Sequence, residues 1–372
     1  MTAGLADVPR LDLRHRRPPR CRPERRRVRA TDHSGAVAAT APRWATNGLV
    51  TQSTTDRAPQ HEAPLREAPW SDAPAREALS RDAPLRDAPT SSLLIVGLGL
   101  VGGSVARAAR QAWPELRIAG ADRSAIGGPA VDDGYVDRFV ALDEVDAVAA
   151  AISAAGLVVI TLPVLGTIAF VEQHADALRA VVATDTAASK RDVTACASRL
   201  GLPLFVGGHP LFPRAHGGLA SADARLVDGA RWFLCPDDAP GAAAVDPHAF
   251  TRVRAFLAGV GAVPVELGAS EHDRDVALTS HVPHLLANVL AEAVLEAGAV
   301  DAAGASLRSI LGVAGAPFEV WGDTVQSNRA AIAVALQDVI SRLRALSEQL
   351  DDRERVRELF ASGRALRERL HG

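Results

Sequence analysis

Three glycines in the stretch VGLGLVGGSVA, Gly97, Gly99 and Gly102, stand in G-x-G-x-x-G spacing. That spacing suits a dinucleotide. The first glycine permits a tight turn, the second lets a pyrophosphate approach the backbone, and the third lets a helix close on a strand. The phosphates then lie at a helix N-terminus, where free N–H groups and the helix dipole favour anions. Asp122 follows at the end of the next apolar run, about twenty residues on. A carboxylate there accepts from ribose hydroxyls and disfavours a 2′-phosphate, which predicts NAD over NADP. Arg123 beside it is the residue that would receive such a phosphate. Thr161, closing the later apolar run GLVVIT, is grouped with the cofactor-binding residues.

A second set of residues has proton chemistry. GGHPLF sets His209 between a glycine pair and a proline, just after the apolar run 202–206. An unperturbed imidazole titrates at about 6.5, so a neutral histidine there can accept a proton near neutral pH. Two further stretches concentrate polar groups: TDTAASKRD (184–192) and EHDRDVALTSHVPH (271–284).

The elements that position these groups follow from the hydrophobic pattern. LLIVGLG, LRIAGAD, YVDRFV, GLVVITLPV and AVVATD read as five short strands, alternating with helical stretches at 100–113, 143–153 and from about 164 to 178. Such alternation predicts a parallel sheet with helices on both faces. In sheets of this kind, loops at the C-terminal strand ends face the cofactor. More αβ units are expected to about Val265. After Gly268 strand signals stop, and three long helices are expected, over 269–298 with an adjustment near Pro283, over 329–350 and over 352–370. Their alanine-rich apolar stripes suit packing on one another and on a second subunit.

Residues 1–91 differ in kind. RHRRPPRCRPERRR is a basic, proline-broken run, and Ala-Pro then recurs on a five-residue spacing at Pro59, Pro64, Pro69, Pro74, Pro84 and Pro89, with Leu79 filling the gap. With few large apolar residues and repeated loss of backbone donors, this segment reads as a disordered linker or tail. The formal net charge of −3 over 372 residues gives no overall footprint for nucleic acid. Three cysteines at unrelated spacings make neither a disulfide framework nor a zinc site, so no metal is expected. No apolar run is long enough to span a membrane, and no secretory signal is evident, which points to the cytoplasm. Lys190 is the sole lysine among 41 basic residues, so arginine-for-lysine choices carry little message.

Taken in order, the glycine loop, TD…K, GGHP, EHDR…SHVPH and a final W…SNR (Trp321, Ser327 to Arg329) resemble the prephenate dehydrogenase family over about residues 92–350. That family includes arogenate and cyclohexadienyl dehydrogenases. The resemblance implies an α/β Rossmann-type dinucleotide-binding domain (92–267) followed by an all-α substrate and dimerisation domain (268–372), after the 1–91 extension. It implies a homodimer with a small cyclohexadienyl substrate and NAD. The reaction would be oxidative decarboxylation of prephenate to 4-hydroxyphenylpyruvate, towards tyrosine. By match to the family's motifs, His209 takes the hydroxyl proton, His284 lines the substrate pocket and Lys190 contacts substrate. His281 is expected to pack within or cap its helix.

Three departures qualify the match. The family's serine that bonds the substrate hydroxyl and the catalytic histidine is replaced by Ala188, leaving Ser189 to serve by a one-residue shift. The family's Asp and substrate-gripping Arg fall on Ser309 and Gly312, leaving Arg308 or Arg214 to hold a substrate carboxylate. Phe212 and Pro213 stand where a loop glycine is usual. Two alternatives stay open: a dehydrogenase of 4-amino-4-deoxyprephenate in secondary metabolism, and a non-catalytic dinucleotide-binding homologue.

Overall fold

The computed structural model describes residues 87–212, 217–316 and 318–371. Arg214 and all of the 1–91 extension before Asp87 lie outside the described residues. The first half alternates Ser92–Val96 (β1), Leu100–Ala112 (α1), Arg117–Asp122 (β2), Ser124–Asp132 (α2), Arg138–Ala141 (β3), Val145–Ala154 (α3), Leu157–Ile160 (β4), Val164–Gln173 (α4), Ala175–Leu178 (α5), Val182–Asp185 (β5), Arg191–Arg199 (α6) and Phe205–Pro210 (β6). Then come Arg231–Cys235 (β7), Pro247–Gly259 (α7) and Val263–Glu266 (β8). The strands form one sheet in the order β3-β2-β1-β4-β5-β6-β7-β8.

The core explains why these strands are apolar throughout. Leu93, Ile95, Leu157 and Val159 pack on one side of the sheet with Val105 and Ala109 of α1 and Val253, Phe256 and Leu257 of α7. Leu94, Val96, Val158 and Ile160 pack on the other side with Ile152, Phe170, Val171 and Val193. Alternate residues point to opposite faces, and helices cover both, so neither face can be polar. Contacts to the sheet begin ahead of β1: Thr90 is buried, and Arg252 Nε donates to the Pro89 carbonyl at 2.9 Å.

Two expectations need correction. The sheet is mixed, because β7 runs antiparallel to β6, with His209 opposite Phe233. The third strand starts at Arg138 rather than Tyr135. Tyr135 is instead buried, and its hydroxyl donates to the Leu219 carbonyl at 3.0 Å.

After β8 the chain is helical: Ala269–Val276 (α8), Val282–Glu296 (α9), Ala305–Ile310 (α10), Phe318–Ser327 (α11), Arg329–Glu348 (α12) and Arg353–His371 (α13). A π-helical segment, Ala277–His281, joins α8 to α9. The anticipated adjustment therefore precedes Pro283, which sits in the first turn of α9 directly after the π-helical segment. Among the described residues no helix is long and apolar enough to cross a membrane.

Candidate active site

The glycine loop lies between β1 and α1. Gly97 has a φ of 92°, and a Cβ there would lie 2.7 Å from the Thr161 carbonyl oxygen. A Cβ on Gly102 would lie 2.0 Å from the Gly97 carbonyl oxygen, whereas one on Gly99 meets nothing within 4 Å. So the outer two glycines close the turn, and the middle one leaves backbone open to a large group. No side chain caps α1, and its first turn holds no acidic residue. Its N–H groups thus face the opening with no competing anion, and the residues present fit a pyrophosphate. Asp122 ends β2 with Oδ2 accepting from Leu98 N at 2.5 Å and Oδ1 from Arg123 N at 2.6 Å. Thr161 donates its hydroxyl to the Gly97 carbonyl. It thus braces the turn of the glycine loop, next to the position expected to meet the cofactor.

His209 is the penultimate residue of β6, at the same C-terminal sheet edge as the glycine loop. Gly208 before it allows close packing, since a Cβ would lie 2.4 Å from the Asp185 carbonyl oxygen. His209 Nδ1 lies 2.9 Å from His272 Nε2. His272 Nδ1 lies 2.8 Å from Asp273 Oδ1. Asp273 also accepts from Lys190 N at 2.7 Å and Arg191 N at 3.0 Å. Burial first, and then the cost of placing a positive charge close to Lys190 and the titratable rings of His272 and His281, holds the His209 pKa well below its ordinary value. A neutral imidazole at the cleft edge is the form able to accept a proton.

The helical region closes around this cluster. Asn328 Nδ2 donates to the Asp273 carbonyl at 2.8 Å and to His281 Nδ1 at 3.2 Å. His281 is buried in the π segment, as its expected packing role requires. His284 stacks on Trp321 with ring centroids 3.9 Å apart. Its Nδ1 donates to the Ser280 carbonyl at 2.9 Å, leaving Nε2 as its open end.

Three other expected site residues are placed differently. Lys190 is fully buried, its ammonium bonded to Asp185 and to the Gly208 carbonyl, the latter at 2.5 Å. It therefore holds the end of β6 from inside and presents no charge to a substrate. Ser189 Oγ lies 2.7 Å from Ser327 Oγ, and no hydrogen bond joins it to His209. The shifted serine thus ties the β5–α6 loop to the end of α11. Arg308 is exposed on α10 and donates to the Ala303 carbonyl at 2.9 Å, a bond within its own turn.

His272, Asp273, Asp185 and Asn328 belong to this site and carried no assignment from sequence. Each lies inside a motif quoted above, but nothing in spacing alone says that residues 83 or 55 positions apart will meet. Among the described residues no group of His, Cys, Asp and Glu side chains could hold a metal.

Residues 105–266 match the family model for the prephenate dehydrogenase nucleotide-binding domain, and residues 268–362 match that for its dimerization domain. The chain is 29% identical over 296 residues to a prephenate dehydrogenase of Bacillus subtilis, covering 75% of this chain and 76% of that one. It is 26% identical over 288 residues to one from Lactococcus lactis subsp. cremoris, covering 74% and 76%. Its fold is similar to the crystal structure of prephenate dehydrogenase from A. aeolicus in complex with hydroxyphenyl propionate and NAD+. The TM-score is 0.69 at 21% identity, covering 75% of this chain and 98% of that one.

Proposed function

The chain belongs to the prephenate dehydrogenase family, and from that premise we propose that it catalyses NAD-dependent oxidative decarboxylation of prephenate or a close cyclohexadienyl analogue. The observation that carries this reading is His209, held neutral at the same end of the sheet as the glycine loop and backed by His272 and Asp273. Bound NAD supplies the acceptor for a hydride leaving C4 of the substrate ring. His209 takes the proton from the C4 hydroxyl, carbon dioxide leaves, and the ring becomes aromatic, which drives the reaction; the proton on His209 then returns to the phenolate oxygen to give the phenol.

Support for NAD over NADP comes from Asp122 at the end of β2. Its carboxylate suits ribose hydroxyls and repels a 2′-phosphate. His284 and Trp321 form an aromatic wall suited to a flat ring. The substrate's carboxylates need a cation, and Lys190 is occupied. That leaves Arg214, five positions after His209, and Arg308 for this role. Homodimerisation through the helical region is part of the same reading, and its product feeds tyrosine formation. A 4-amino substrate is the second reading, favoured by the commitment of Ser189 to Ser327, which leaves the family's hydroxyl-binding position to Ala188.

The test is direct. Purified protein is mixed with NAD and, in turn, prephenate, arogenate and 4-amino-4-deoxyprephenate, and reduced cofactor is followed by absorbance. Turnover with one of the three is expected. His209→Asn should lower kcat by about 10²–10⁴-fold, the usual contribution of a positioned base. No turnover with any of the three substrates sinks the proposal and favours a non-catalytic homologue.

A further inference from the structure

We infer that His272, oriented by Asp273, fixes His209 as its Nδ1–H tautomer and so leaves Nε2 as its proton-accepting atom. The inference deepens the reading of His209 as the base and rests on it for its meaning in turnover.

Hydrogen-bond chemistry gives the assignment step by step. A carboxylate only accepts, so the 2.8 Å contact between Asp273 Oδ1 and His272 Nδ1 places a proton on that nitrogen. In a neutral imidazole the other nitrogen then carries a lone pair. His272 Nε2 is therefore an acceptor, and His209 Nδ1, 2.9 Å away, must be the donor. His209 Nε2 is left with its lone pair, and no hydrogen bond among the described residues occupies it.

Three features hold this arrangement. His272 is fully buried, so no water can replace its bond to His209. Phe233 and His209 both meet its ring edge-on, at 5.3 and 5.0 Å between centroids, which restrains ring rotation. Asp273 is held by the N–H groups of Lys190 and Arg191 as well as by His272. With those donors its charge is met without a second proton on His272. The competing arrangement has His272 doubly protonated and His209 carrying its proton on Nε2, and it buries a full imidazolium beside the Lys190 site. In that state His209 has no lone pair for a substrate hydroxyl. His272 is fully buried behind His209 and would act only through it, so it is a positioning residue.

The experiment uses full-length protein labelled with 15N-histidine at about pH 7.5, with His209→Asn to assign the His209 signals. Wild type should show His209 protonated at Nδ1 and bare at Nε2. In His272→Leu the signature should move towards Nε2–H. There kcat should fall about 10–100-fold, part of the loss a misplaced tautomer causes, with KM changed by less than about 3-fold. His272→Gln keeps an amide oxygen that can accept the Nδ1 proton, and should recover most of that kcat; it also carries the test should the leucine variant not fold. A wild-type His209 protonated at Nε2, or a His272→Leu protein with the wild-type signature and kcat, overturns the inference. The spectrum needs no substrate. An Nδ1–H signature in a protein inactive on all three substrates therefore removes the dehydrogenase reading while upholding the tautomer assignment.

Discussion

His281 shows how one buried side chain sets a pH limit. Burial lowers its pKa from 6.5 to about 4, opposed by Asp273 and reinforced by His272 and His284. Its Nδ1 accepts from Asn328, while Trp321 meets its ring edge-on at 5.8 Å. The folded state therefore resists protonating this histidine, whereas the unfolded chain takes the proton near 6.5. Stability from the neutral form is full above that pH and is lost progressively as pH falls towards 4. Between pH 7 and 4.5 the loss attributable to His281 is about 2 kcal/mol. His281→Gln keeps an acceptor for Asn328 without the titration. Urea unfolding should thus show wild type losing about 2 kcal/mol more than the variant over that range. Parallel pH profiles would count against the burial account. At this scale the sequence was informative where a residue acts locally. The glycines at 97, 99 and 102 are legible because their roles follow from one turn, and His209 because it ends one strand. His272 and Asp273 were not, since their roles arise only when α8 meets β6 and the start of α6.

Between elements, the decisive bond is the one that Lys190 makes from the start of α6 to the ends of two strands. Its ammonium joins Asp185 at the end of β5 and the Gly208 carbonyl in β6, so three elements share one buried cation. Asp185 is also satisfied by the N–H groups of Gly208 and Ala187, at 2.9 and 2.8 Å. Breaking a buried pair by removing one partner leaves an uncompensated charge and costs about 3–5 kcal/mol. Lys190→Met should therefore lower stability by about that amount in a urea titration, with His209 displaced as β6 loses its anchor. A loss below about 0.5 kcal/mol, the value for a surface lysine, would contradict the interior placement. Element identity was readable where apolar runs were unbroken, as in β1, β2 and β4. It failed for α2, whose Gly-Gly-Pro core contradicts helix propensity and is held by packing of Ala130 and Tyr135 into the core. Strand direction was also hidden. An apolar run looks the same either way, and the turn of β7 against β6 depends on the connection after His209.

At the scale of the whole molecule, the described residues after β8 expose several large apolar side chains. Val289 and Leu295 on α9, Val334 on α12, and Phe360, Leu366 and Leu370 on α13 are each 59–73% exposed. Such a concentration marks an association surface. The matched dimerization-domain model spans 268–362 and so takes in α9, α12 and the first half of α13, through Phe360 but short of Leu366 and Leu370. A second copy of the chain would bury this patch against the same patch of its partner, as a two-fold interface requires. Each large apolar side chain so buried contributes about 1.5–3 kcal/mol, and a buried glutamate in its place would add a desolvation cost. Phe360→Glu combined with Leu366→Glu should therefore weaken association by several kcal/mol, at about tenfold per 1.4 kcal/mol. Sedimentation equilibrium at micromolar concentration should give twice the chain mass for wild type and a single chain mass for the double variant. The helical far-UV signal should be retained, because both side chains are mostly exposed in one chain. A wild type that sediments as a monomer would sink the proposed homodimer. A double variant that stays dimeric would move the interface from α13 to α9 and α12.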